Sequence, residues 1–319
     1  MGGPWAGRPR IIRSVGQVRV TSLGPTSSVL ISTMNHAWLY ESTDQGARAL
    51  PLDASAPGDP LDAAYASMPH GVYEGLRTHD GVRLFALDRH LERAAKGSKV
   101  RGLPPWDQLQ LRRALDQALR EHEGDLRVRI DFLPSPAVSL GGTGTVLLGL
   151  RPLVLPPPEA YELGVGVQPL RDLERKDPEV KGAAFATERI AHEWDPRDNY
   201  EPMLTSGSGE LLEGVSSNFI AIQGQVLRSA GGGVLPGITR QVVFELAAEL
   251  GMEVQERAVG LAEVGELDEA CLTSSVRGIV PIVRIANQSV GNGRPGPRVT
   301  ELRDLLTRRI LAEARPPLA

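Results

Sequence analysis

A proline-rich run, "RPLVLPPPEA" over residues 151–160, separates two halves of the chain that each mix strand-like and helix-like patterns. In the first half "AWLYES" has strand character. A polar Pro/Gly/Asp-rich loop follows over about residues 53–62. "GVYEGLRTHDGVRLF" predicts two strands about an Asp80-Gly81 turn. "LDRHLERAAKGSKVRG" and "WDQLQLRRALDQALREH" carry apolar residues at helical spacing, and "LRVRIDFL" and "GTVLLGL" read as strands. The second half offers strands in "GVGVQPL", "EPMLTS", "GELLEG", "NFIAIQGQVLRS", "MEVQERAV" and "EACLTSS". Helices are expected over "GAAFATERIAHEW", from Thr239 to Leu250, and from about Thr300 onward. Strands and helices do not alternate strictly, so a single doubly wound sheet is excluded. The expectation is a mixed α/β (α+β) architecture in two domains. These are a smaller N-terminal domain over 34–150 and a larger one over 166–319, joined by a connector over 151–165.

The 319 residues suffice for two ordinary domains. A net charge of −4 gives no electrostatic case for nucleic acid or an anionic membrane. The best apolar run, "TVLLGLRPLVL", is broken by Arg151 and Pro152, so no membrane span is expected. Cys271 is the only cysteine and the six histidines have no helical ligand pair, which disfavours a dedicated metal site. Residues 1–40 hold four arginines and no acid. The segment 1–33 reads as a disordered tail or an over-extended start ahead of Met34, with an organelle transit peptide as the alternative.

The stretch "GGGVLPGITR", residues 231–240, puts much backbone freedom directly before a helix. A helix start presents free N–H groups and partial positive charge, and glycines let a ligand approach the main chain. Gly237, Ile238 and Thr239 therefore fit a phosphate cup. Elsewhere "EGVSSNF" sets Glu213 before a turn entering a strand, and "LTSSVRG" is a hydroxyl-rich turn at a strand end. "HLER" ends in Arg93 on a helix, and "PEVKG" places Lys181 beside a helix start whose field would lower its amine pKa. Singly, each has an ordinary reading: Thr239 as a helix cap, Glu213 as a turn acid, Lys181 and Arg93 as solvated surface cations. Together they match the parts of a pyridoxal phosphate site.

With "GVYEGLR", "HLER", "PEVK", "LLEGVSSNF", "LPGITR", "SSVRGIVPI" and "GNGRPGPRVTEL" in this order, the chain resembles the class IV aminotransferases, the fold-type IV pyridoxal phosphate enzymes. The resemblance runs from about residue 66 to 305 and implies the fold-type IV architecture, with the cofactor in the C-terminal domain. It implies that Lys181 carries the cofactor and shuttles the proton, while Glu213 bonds the pyridine nitrogen. Arg93 becomes the charged phosphate ligand, Gly237, Ile238 and Thr239 the cup, and Ser275 a second hydroxyl ligand. Leu235 would lie against the ring face.

The substrate side is mixed. The Glu-Gly of "VYEGLR" is similar to the branched-chain amino acid aminotransferases, where Tyr73 would line the side pocket and Arg129 would stand near the carboxylate. Ser275 and Val276 complete the implied substrate contacts. Against this, Ala186 stands where a tyrosine is usual, and Met68-Pro69-His70 is unlike the branched-chain pattern. The resemblance thus implies transamination between an amino acid and a 2-oxo acid, of branched-chain-like L-substrates. The alternatives are an aminodeoxychorismate lyase, a D-amino acid transaminase and a degenerate cofactor-binding protein. It further implies a cytoplasmic homodimer with small-molecule substrates.

Overall fold

The computed structural model describes residues 37–55, 58–171, 173, 175–191 and 199–319. The leader over 1–33 and the end of the helix expected from "GAAFATERIAHEW" lie outside them.

The chain order in the first half is β1 (Trp38–Thr43), β2 (Gly46–Leu50), α1 (Pro60–Ser67), β3 (Val72–His79), β4 (Arg83–Leu84), α2 (Leu87–Val100), α3 (Gln108–Arg120), β5 (Leu126–Phe132) and β6 (Val146–Pro152). These strands form one antiparallel sheet in the order β2-β1-β6-β5-β3-β4. The period-2 pattern of β3 and β5 sends Leu76, Val128 and Ile130 to one face. There they pack on Leu91 and Ala94 of α2 and Leu111, Leu115 and Leu119 of α3. Tyr73, Gly75 and Arg77 of β3, cross-strand from Asp131, Arg129 and Arg127 of β5, occupy the opposite face.

The second half continues with α4 (Pro158–Glu162), β7 (Val165–Leu170), α5 (Ala183–Ala191), β8 (Glu201–Thr205), β9 (Glu210–Gly214), β10 (Ser217–Gln223), β11 (Val226–Arg228), α6 (Ile238–Glu249), β12 (Glu253–Gln255), β13 (Val259–Gly260), β14 (Glu269–Ser274), β15 (Gly278–Ile285), β16 (Gln288–Ser289) and α7 (Pro297–Glu313). Its sheet runs β12-β11-β10-β14-β15-β7-β8-β9-β13, and a further β10–β9 pairing closes the path on itself. Val167, Met203, Leu211, Phe219, Leu272 and Val280, one from each strand of that ring, form a shared core. On the other side α6 and α7 cover Ile220, Ile222, Cys271 and Ile279.

The structure departs from the sequence reading at several places. The polar loop gives way to α1, where Asp59 caps the helix by accepting from Leu61 N and Pro60 fills its first turn. β15 is absent from the expected strands, because Pro281 stands inside its apolar run opposite Cys271, and proline argues against a central strand. "MEVQERAV" splits, β12 pairing with β11 and β13 with β9. β6 extends through Pro152 and α4 begins at Pro158, so both enter the proline-rich run. α7 begins at Pro297, three residues earlier than read, with proline in its first turn.

Candidate active site

Lys181 is delivered by the turn before α5, and its main chain is stitched to the start of β3. Its carbonyl accepts from Tyr73 N at 2.9 Å, and Ala183 N donates to Gly71 O at 2.9 Å. The side chain lies over the Tyr73 ring, with Nζ 4.9 Å from the centroid. Burial lowers the Lys181 amine pKa, and the nearby Arg93 adds to that effect while Tyr73 opposes it. The cause is thus desolvation first, rather than the helix field invoked from sequence. Burial alone would raise the Tyr73 phenol, but Lys181, Arg189, Arg129 and Arg175 together bring it down to about 8.

Glu213 is the penultimate residue of β9 and is 1% exposed. Its carboxylate accepts from Arg175 Nε at 2.7 Å, Leu235 N at 3.0 Å and Asn218 Nδ2 at 3.1 Å. Burial raises its pKa against the pull of Arg175. Four elements therefore fix this acid, which excludes a solvated turn residue.

Gly237 holds the N-cap position of α6, and no side chain caps the helix. Thr239 does not serve as the cap: its hydroxyl meets Ser275 Oγ at 3.3 Å. Ser275 Oγ in turn lies 3.2 Å from His90 Nε2, and His90 Nδ1 lies 2.7 Å from Glu74 Oε2. Burial lowers the His90 pKa despite Glu74, so the ring is neutral; it donates to Glu74 through Nδ1 and accepts from Ser275 through Nε2. Arg93 closes the circuit, donating to Glu74 at 2.8 and 2.6 Å and to the Pro236 carbonyl at 2.9 Å. The guanidinium stands beside the turn that opens α6, as its expected role requires. It does so already paired to a carboxylate.

The glycine run also has a different reason from the one inferred. Gly233 takes a left-handed φ of 72°, which glycine accommodates freely. The close approach is at Gly237, where a Cβ would collide with the Asn218 side-chain oxygen. Asn218 holds both Glu213 and the Leu235 carbonyl, the latter at 2.8 Å. Gly237→Ala is therefore expected to displace Asn218 and with it the acid. A destabilisation of about 1–3 kcal/mol should appear in urea unfolding, with weaker cofactor retention; unchanged values for both would remove this role.

Every site residue expected from sequence lines one cavity of about 660 Å³: Tyr73, Arg93, Arg129, Lys181, Glu213, Leu235, Gly237, Ile238, Thr239, Ser275 and Val276. Arg129 reaches it from β5. It donates to Asp131 at 2.7–3.0 Å, and its guanidinium lies 4.0 Å from the Tyr65 ring centroid and 4.4 Å from that of Tyr73. Tyr65 comes from α1, a helix that is not read from sequence and whose first turn falls in the expected loop. Glu74, His90, Arg127 and Arg175 escape that reasoning as well. Glu74 and His90 lie inside the quoted motifs "VYEGLR" and "HLER", where His90 precedes Arg93 by three residues on one helix face.

Glu74 is fully buried. Burial would raise its carboxyl, but Arg93 and the His90 bond overcome this and hold it at about 2. A depressed carboxyl contributes stability above its unfolded value near 4.5 and loses it as pH falls through the folded value. Wild-type protein should lose stability steadily between pH 4.5 and about 2. Glu74→Gln should be less stable at neutral pH and show a shallower decline in that window, measured by urea unfolding across pH. Parallel slopes would contradict the assignment.

Among the described residues no helix is long and apolar enough to cross a membrane, and no group of His, Cys, Asp and Glu is placed to hold a metal.

The chain is similar to known proteins over most of its length. The "Probable branched-chain-amino-acid aminotransferase" of Thermotoga maritima is 29% identical over 72% of this chain and 83% of its own length. The D-alanine aminotransferase of Bacillus licheniformis is 27% identical over 76% and 88%. In fold the chain is similar to the T.th. branched-chain amino acid aminotransferase solved with pyridoxamine 5'-phosphate. The TM-score is 0.69 at 20% identity, covering 88% of this chain and 98% of that one. The family model for amino-transferase class IV matches residues 71–285, most of the chain, with the lysine, the acid and the helix-start turn all inside the match, and the chain belongs to that family.

Proposed function

We propose that the protein exchanges an amino group between a branched-chain-like L-amino acid and a 2-oxo acid, with Lys181 as the cofactor-bearing residue. As a class IV aminotransferase it uses pyridoxal 5'-phosphate. The residues present fit that group. The cavity is large enough, the cup has paired hydroxyls at a helix start, and a buried amine and a buried carboxylate both line the space. The observation that carries the reading is Lys181, whose burial favours the neutral, nucleophilic amine. When bound, the cofactor supplies a conjugated ring that accepts the electron pair released at the substrate α-carbon.

The chain's own groups do the rest. Thr239, Ser275 and the free N–H groups at the start of α6 bind phosphate. Glu213 keeps a proton on the pyridine nitrogen. Lys181 Nζ would take the substrate α-proton and hold it for return. Arg129, braced by Asp131, and Arg127, which has no carboxylate partner among the described residues, face the cavity to receive the carboxylates of amino and oxo acids. Val154 and Leu155 line the cavity yet are 83% and 41% exposed, an apolar rim that a second copy would cover in a homodimer.

A half-reaction tests the function. One equivalent of an L-branched-chain amino acid should convert the bound cofactor to pyridoxamine phosphate, with loss of visible absorbance, and a 2-oxo acid should restore it. Conversion by D-alanine alone would favour the D-specific reading, which the 27% identity to a D-alanine aminotransferase keeps in view. Pyruvate release from aminodeoxychorismate with the absorbance intact would establish the lyase instead.

A further inference from the structure

Behind the phosphate cup lies a second cavity of about 200 Å³. Thr239, Ser275 and Arg277 line both, so the two spaces share a wall. Arg77 of β3 and Arg303 of α7 line the second cavity together with His79 and Tyr161. No acidic side chain lines it among the described residues.

The charge balance of this cavity is unusual. Arg277 is neutralised by Glu201 at 3.0 Å. Arg303 donates only to the Tyr161 carbonyl, at 2.9 Å, and Arg77 only approaches His79 Nδ1, at 3.4 Å. Neither has a carboxylate within ion-pair distance among the described residues. His79 adds no charge, since burial first and Arg77 second push its pKa down to about 4. Burial also lowers the Arg77 pKa, against the pull of Asp125, which is not in ion-pair contact with it. Arg77 further stands directly cross-strand from Arg127, which stands cross-strand from Arg151. Like charges set opposite one another destabilise a sheet. Of this row only Arg151 meets acids, Asp59 at 2.8 Å and Asp62 at 3.0 Å.

Partly buried cations are ordinarily paired. Two guanidiniums with no acid in ion-pair contact among the described residues, both lining a space too small for a drug-sized ligand, call for a small anion of matching charge. A tetrahedral oxyanion presents four oxygens and can accept from two guanidinium forks at once.

We propose that this cavity is a binding site for a small dianionic oxyanion of the phosphate or sulfate type, held by Arg77 and Arg303 and separate from the cofactor's phosphate cup. Because Thr239 and Ser275 belong to both walls, occupancy of one site is coupled to the other, and the coupling is reciprocal. This goes beyond the transamination reading and does not depend on it.

The test uses pyridoxal phosphate-loaded enzyme, so that the cup is already filled, titrated with inorganic phosphate at ionic strength held constant with sodium chloride. Calorimetry should show one saturable site per chain, with a matching rise in Tm. Arg77→Gln and Arg303→Gln should each weaken it at least about tenfold, the scale of one lost charge-assisted bond. Arg303→Glu, a change on a half-exposed helix position, should abolish it while the Tm without phosphate and the cofactor content stay as in wild type. Absence of saturable binding to the loaded enzyme, or binding unchanged in Arg303→Glu, overturns the proposal. Failure of the protein to load cofactor would instead count against the functional reading. The titration then runs on unloaded protein, where two phosphate sites are expected in wild type and one, the cup, in Arg303→Glu; a single site in wild type, or two sites remaining in Arg303→Glu, overturns the proposal.

Discussion

Lys181→Ala should abolish transamination and leave the fold intact. The lost proton transfer alone accounts for about 10²–10⁴ in rate, and loss of the covalent attachment takes activity to background. Stability should not suffer. The amine is buried, with its charged form disfavoured and no hydrogen bond to it among the described residues, so its removal relieves a desolvation cost. Thermal unfolding of cofactor-free Lys181→Ala should give a Tm equal to or above that of cofactor-free wild type. A variant that keeps more than about 1% of wild-type rate, the loss that positioning a general base minimally contributes, would assign the chemistry to another residue.

Glu213→Gln should separate rate from binding. A carboxylate beside the pyridine nitrogen matters because it keeps that nitrogen protonated, and the benefit falls mainly on the carbanion-like transition state. The loss in kcat should be on the order of 10²–10³, the scale of a removed electrostatic stabiliser, with cofactor affinity largely kept. The glutamine retains an oxygen for Leu235 N but leaves the Arg175 guanidinium, 8% exposed, without its carboxylate. A stability cost should therefore accompany the rate loss. Single-turnover kinetics of the loaded variant check the first and urea unfolding the second. Wild-type single-turnover rates would place a different acid beneath the ring.

The candidate cofactor residues stand out in the sequence because each sits in a short local signal. A lysine before a helix, an acid before a turn and a hydroxyl at a helix start can be read from a few adjacent residues. Their partners cannot be read so, since the contacts span long stretches of chain. Glu74 meets Arg93 across 19 residues, Glu213 meets Arg175 across 38, and Ser275 meets His90 across 185. Arg93 reads as a phosphate ligand, and its prior commitment to Glu74 is invisible until β3 and α2 are packed together. The lysine's pKa has the expected direction and a different leading cause, since helix-start fields are visible in sequence and burial is not. α1 escapes because eight residues bury only Leu61 and Ala64, too few for a clear period, yet it brings Tyr65 onto Arg129. β15 escapes through Pro281, a residue whose usual meaning is overridden by the strands on either side.

The central claim is that Lys181 holds the cofactor inside this cavity. Borohydride reduction of the loaded enzyme, followed by peptide mapping, tests it directly. A pyridoxyl group is expected on the peptide containing Lys181 and on no other lysine. A label on Lys176 or Lys96, with Lys181 unmodified, would contradict it.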